Sequence, residues 1–189
     1  MSAFVKKYLA EKIASQKMAG NLSRLSSLFA KATIDLNPHQ IHAALYAFNS
    51  PLSRGAILAD EVGLGKTIEA GIIIAQLWAE EKRRILVLCP ASLRTQWQDE
   101  LLTKFGLESE VWDGPSFIAR VNSGEQTPLT YEGVFIVSYH FAYARLKLIE
   151  KQPWSAIVID DKLLGTPYSF KKNYLTSYNT AYLVSLRYT

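Results

Sequence analysis

The stretch ILADEVGLGKTIEAGIII, Ile57–Ile74, decides how the rest of the chain is read. It opens in a short apolar run, GAILA at 55–59, and closes in an apolar run with helical spacing. Between them lie Gly63, Leu64, Gly65, Lys66 and Thr67. The two glycines let the backbone turn tightly and point N–H groups inward. Lys66 can set a positive charge against outer phosphates, and Thr67 can offer a hydroxyl to Mg²⁺. A helix opening at Lys66 aims its positive end at the same anion. The general phosphate-loop pattern has a glycine five positions before Gly65, where this chain has Asp60. The pattern is met in part; its strand-before, helix-after context is met in full.

Outward from this stretch the chain alternates. Short apolar strands are predicted at 55–59, 84–90, 109–113, 133–138 and 155–160, with helices over 66–81, from Ser92 to about Phe105, after Asp113, and to about Lys151. Strands that are apolar throughout and alternate with helices predict an α/β fold, a parallel sheet covered on both faces. Ligands of such sheets bind beyond the carboxyl ends of the strands. The last strand, SAIVIDD, ends there in Asp160 and Asp161, adjacent carboxylates suited to Mg²⁺. Upstream, helical spacing is read over 4–18 and again from about Asn21 or Ser23; a third helix starts at Pro38, with Asn37 as its cap, and runs to about Phe48. The expected organisation is a helical extension at 1–35, a nucleotide-binding lobe at 36–161 and a divergent tail at 162–189.

Composition sets bounds on this reading. The 189 residues are 49% hydrophobic and 20% charged, ordinary for a folded domain. No apolar run approaches the ~18–20 residues that span a bilayer, and Lys6, Lys7, Glu11 and Lys12 interrupt any signal-peptide core; a cytoplasmic protein without membrane contact is expected. Cys89, the single cysteine, sits in RILVLCP and reads as a small buried hydrophobe. His39, His42 and His140 form no metal-ligand spacing. The pI of 9.1 is no argument for nucleic acid. Residues 162–189 hold four of the 21 basic residues and none of the 17 acids, so the first 161 residues are neutral.

DEVGLGKT at 60–67 resembles the first motif of the Swi/Snf-type ATPases of helicase superfamily 2. LNPHQ (36–40) resembles the family's adenine-reading element, with Gln40 at the position that contacts the base. LVLCPASLRTQWQDEL (86–101) resembles the motif whose strand end and helix start touch the DNA backbone, and Ser92 and Trp97 fall on its pattern. FIVSYHFA (135–142) resembles a later strand-end motif, and PWSAIVIDD (153–161) the strand that carries the magnesium acid, here Asp160. The resemblance implies one RecA-like lobe that uses ATP and Mg²⁺ and meets duplex DNA weakly through its backbone. Taken singly, Ser92 is also a helix cap, Trp97 is as readily a core residue as a DNA contact, and Tyr139 reads as packing.

The resemblance stops at Asp161. Where the family has Glu, Ala and His after the magnesium aspartate, this chain has Asp161, Lys162 and Leu163. Asp161 stands at the water-orienting position one methylene short, and displacement by ~1 Å can cost ~10²-fold in rate. The family's Ser/Thr-Ala-Thr-like motif and second lobe, which brings arginines across the cleft, find no match. The tail has no acid and holds Tyr168, Tyr174, Tyr178, Tyr182 and Tyr188, half of the ten tyrosines. The expectation is that translation leaves its original frame near Asp161. The reading is therefore the ATP-binding lobe of a DNA-dependent ATPase, incomplete and inactive alone; the alternative is a nucleotide-binding fragment with no motor function. A self-contained small kinase has no acceptor-binding or lid segment here to support it.

Overall fold

The computed structural model describes residues 37–49, 55–58, 65–124, 127–161 and 182–187. The helices read over 4–18 and from Asn21, the loop residues Gly63 and Leu64, and tail residues 162–181 lie outside them.

The described elements run α1 (Pro38–Asn49), β1 (Gly55–Leu58), α2 (Lys66–Ala79), β2 (Arg84–Cys89), a 3₁₀ turn (Ala91–Leu93), α3 (Arg94–Phe105), β3 (Glu110–Trp112), α4 (Gly114–Asn122), β4 (Gly133–Ser138), α5 (Tyr139–Ala144), α6 (Leu146–Glu150), β5 (Ala156–Asp161) and β6 (Tyr182–Arg187). The six strands form one sheet in the order β1-β6-β5-β2-β4-β3, and every pairing is parallel. The α/β sandwich expected from the alternating pattern is the fold observed.

The central strands show why. Successive side chains of a strand point to opposite faces, and here both faces are covered. Ile85, Val87 and Cys89 of β2, Val134 and Ile136 of β4, and Ala156 and Val158 of β5 pack with Leu45, Ile72, Ile73, Trp97, Leu101 and Phe105. The alternate residues Leu86, Leu88, Phe135, Val137, Ile157 and Ile159 pack on the other side with Trp112, Phe117, Phe141, Ile149 and Trp154. α2 is buried from Glu69 through Leu77, as a helix enclosed by the core must be. α4 starts on a capping box between Asp113 and Ser116, and the Ser116 hydrogen bonds hold the Asp113 carboxyl below its ordinary range. No helix among the described residues is long and apolar enough to cross a membrane.

Two elements depart from expectation. The predicted helix from Ser92 begins instead as the 3₁₀ turn and becomes α-helical at Arg94; no side chain caps either start, so Ser92 is not a cap. The tail, read as foreign, contributes β6, which pairs with β1 on one side and β5 on the other. β6 thus lies between β1 and β5 in parallel register.

Candidate functional site

The register of β6 sets the frame. Leu58 of β1 and Asp160 of β5 both pair with Leu186. The end of the strand that feeds the phosphate loop and the end that carries the acid are thus two strand spacings apart, about 9.5 Å.

Gly65 closes the loop in a left-handed conformation, φ 87°, which disfavours a side chain. The amide N–H groups of Ile68 and Glu69 donate to its carbonyl at 2.8 and 3.1 Å and start α2. Lys66 follows, 2% exposed, and Thr67 is half-buried. Glu69, one turn on, is fully buried. An acid there is favoured by the helix dipole. Sequence reasoning gave it no role; the signal was a single carboxylate just before the apolar run Ala70–Ala75.

Gln40 is buried against this loop. Its Oε1 accepts from the Asn37 N–H at 3.2 Å, the return half of a capping box. Its Nε2 lies 2.5 Å from where a Cβ on Gly65 would sit. The side chain therefore joins the start of α1 to the phosphate loop.

Asp160 is 1% exposed, and both Trp97 and Tyr139 bond to it. Its Oδ2 accepts from the Trp97 indole N–H at 2.8 Å, and its backbone carbonyl accepts from the Tyr139 hydroxyl at 2.7 Å. Tyr139, read as packing, thus fixes the strand end. Its neighbour Ser138 caps α5 by accepting from the Phe141 N–H at 3.2 Å. Trp97 is 1% exposed; of the two readings open for it, burial and the bond to Asp160 favour the core one over a DNA contact. Ser92 is exposed on the turn after β2. Asp161 is the last residue of β5. Cys89, beside Asp160 on the neighbouring strand, is buried as expected, and burial first, then the Asp160 charge, push its thiol up to about 12.

The donors suit Mg²⁺. A buried carboxylate and a hydroxyl are hard oxygen ligands, and Mg²⁺ is commonly held by one or two carboxylates with the rest of its shell from substrate phosphates and water. No cluster of three or more His, Cys, Asp or Glu side chains fit for a metal occurs among the described residues, and a site completed by nucleotide phosphates does not require one.

A parallel sheet whose first strand leads to a helix opening at Lys66, with a buried acid at the end of a later strand, defines a RecA-like lobe. The chain belongs to the SNF2-related domain family, whose pattern matches residues 16–184, past Asp161 and into β6. It is 34% identical over 165 residues to the RNA polymerase-associated protein RapA of Yersinia pestis (strain Pestoides F), and equally so to RapA of Yersinia pseudotuberculosis; 85% of the chain aligns with 16% of each relative. Among solved structures it resembles the Sulfolobus solfataricus SWI2/SNF2 ATPase core in complex with dsDNA, with a TM-score of 0.68 and 24% identity over 84% of this chain and 33% of that one. A second structure, the Sulfolobus solfataricus SWI2/SNF2 ATPase core domain, gives a TM-score of 0.66 and 24% identity over 82% of this chain and 32% of that one. The chain thus spans about a sixth of the curated relatives and a third of the solved ones.

Proposed function

We propose that the chain is the ATP-binding lobe of a Swi/Snf-type, DNA-dependent ATPase working in the cytoplasm. The observation that supports it best is the placing of Lys66, buried behind left-handed Gly65 at the start of α2, at the same sheet end as buried Asp160. In this reading the backbone of Gly63, Leu64 and Gly65 and the Lys66 ammonium bind the phosphates. Gln40 reads adenine, which requires its amide to exchange or share its present partner. Thr67 and Asp160 hold Mg²⁺, which when bound neutralises charge on the phosphate oxygens. Asp161 takes the water-orienting position, and Ser92, exposed on its turn, meets the DNA backbone.

The second reading, a non-catalytic nucleotide-binding fragment, is favoured by one residue: Asp161 stands where the family has Glu. Phosphate release by these 189 residues with saturating duplex DNA separates the two, with Lys66→Ala as control. We expect no turnover above the control, since arginines from a facing lobe are worth about 10³–10⁵ in rate in phosphate-loop enzymes. Turnover of about 1 s⁻¹, the low end for enzymes, that vanishes in Lys66→Ala would make Asp161 a working base.

A further inference from the structure

We propose that Trp97 is a positioning residue for the magnesium carboxylate, its indole N–H fixing the orientation of Asp160. This rests on the reading of Asp160 as the Mg²⁺ acid. The two residues are 63 positions apart, on α3 and β5, and meet at 2.8 Å with both side chains buried. The N–H of a buried tryptophan usually finds an acceptor, and a backbone carbonyl is one solution. Trp154 shows that solution, donating to the Ile149 carbonyl at 2.9 Å. Trp97 instead donates to a carboxylate, a charge-assisted bond, at the very strand end where the acid is needed.

The geometry makes Trp97 more than filler. A buried carboxylate is costly unless hydrogen-bonded, so Asp160 cannot rotate about its side chain without losing a bond that offsets this cost. Tyr139 holds the carbonyl of the same residue; backbone and side chain are thereby fixed from two different elements. α3 is itself anchored at its first residue, where Arg94 donates to the Ala91 carbonyl at 3.1 Å and to the Trp112 carbonyl at 3.3 Å. Partners that orient a ligating carboxylate commonly matter about 10–100-fold for metal affinity.

The test compares binding of a fluorescent ATP analogue in Mg²⁺ and in EDTA, for wild type, Trp97→Phe, Asp160→Asn and Lys66→Ala. Trp97→Phe keeps an aromatic ring and removes the donor. We expect the half-saturating Mg²⁺ concentration to rise by about 10-fold in Trp97→Phe, with affinity in EDTA unchanged. If Asp160→Asn alters the Mg²⁺ dependence and Trp97→Phe does not, the positioning role is overturned while the metal site stands. If neither alters it, the metal reading fails. If Lys66→Ala leaves binding unchanged, the phosphate site fails. A second measurement needs no variant: in the nucleotide-loaded wild-type chain, the assigned Trp97 indole N–H resonance should shift on adding Mg²⁺ while that of Trp154 stays. An unmoved Trp97 resonance would overturn the proposal.

Discussion

The Gln40 side-chain amide lies against Gly65, its Nε2 2.5 Å from where a Cβ would be. Gly65 is therefore required twice, for its left-handed φ of 87° and for that contact. Gly65→Ala should lose about 1–2 kcal/mol from the backbone conformation alone, and more from the contact. Adding Gln40→Ala should recover only the second part. Urea unfolding of the single and double variants measures both; a Gly65→Ala chain as stable as wild type would contradict the loop geometry.

Gly71 offers a reversal of sign. In a helix interior Gly→Ala normally stabilises by about 1 kcal/mol. Here a Cβ would lie 2.2 Å from Cε2 of the Phe105 ring on α3, so Gly71→Ala should destabilise by about 1–3 kcal/mol. In a Phe105→Ala background the same substitution should become neutral or stabilising. Chemical denaturation of the four chains decides it.

The Cys89 thiol should resist alkylation in the folded chain at neutral pH, because burial raises its pKa from 9.0 to about 12 and the thiolate is the nucleophile. The sign follows: the contribution of this group to stability is fully present below about 9 and is lost as pH rises toward 12. Iodoacetamide labelling should therefore appear only on unfolding. Rapid labelling of folded protein at pH 7 would contradict the packing of β2.

DNA binding by these 189 residues should be weak and independent of sequence. Residues 1–161 are balanced in charge, and a few backbone contacts near Ser92 give a salt slope of roughly −0.9 per phosphate neutralised. Fluorescence anisotropy against salt measures it; a nanomolar, sequence-selective complex at physiological salt would be inconsistent with this surface.

Much of this was legible in the chain itself. The apolar strands predicted at 84–90, 133–138 and 155–160 announced a sheet buried on both faces, and the Gly65-Lys66-Thr67 run placed a strand, a loop and a helix in order. Strand order was not legible, because parallel strands joined by helices carry no local mark of which neighbour they choose. β6 was missed for a compositional reason: an acid-free, tyrosine-rich tail masked YLVSLR at 182–187, whose place is set by pairing with β1 and β5. The Trp97–Asp160 bond spans 63 residues, and no spacing rule reaches that far. Residue type gave only that a buried indole would need an acceptor.

The central claim is that Gly65, Lys66 and Thr67 form a nucleotide phosphate site. Titration calorimetry of ATP·Mg²⁺ into wild type and Lys66→Ala tests it most directly. The account predicts that the variant binds more weakly by about 1.5–3 kcal/mol, the scale of a charge-assisted contact, with its fold intact by circular dichroism. Equal affinity in the two chains would contradict it.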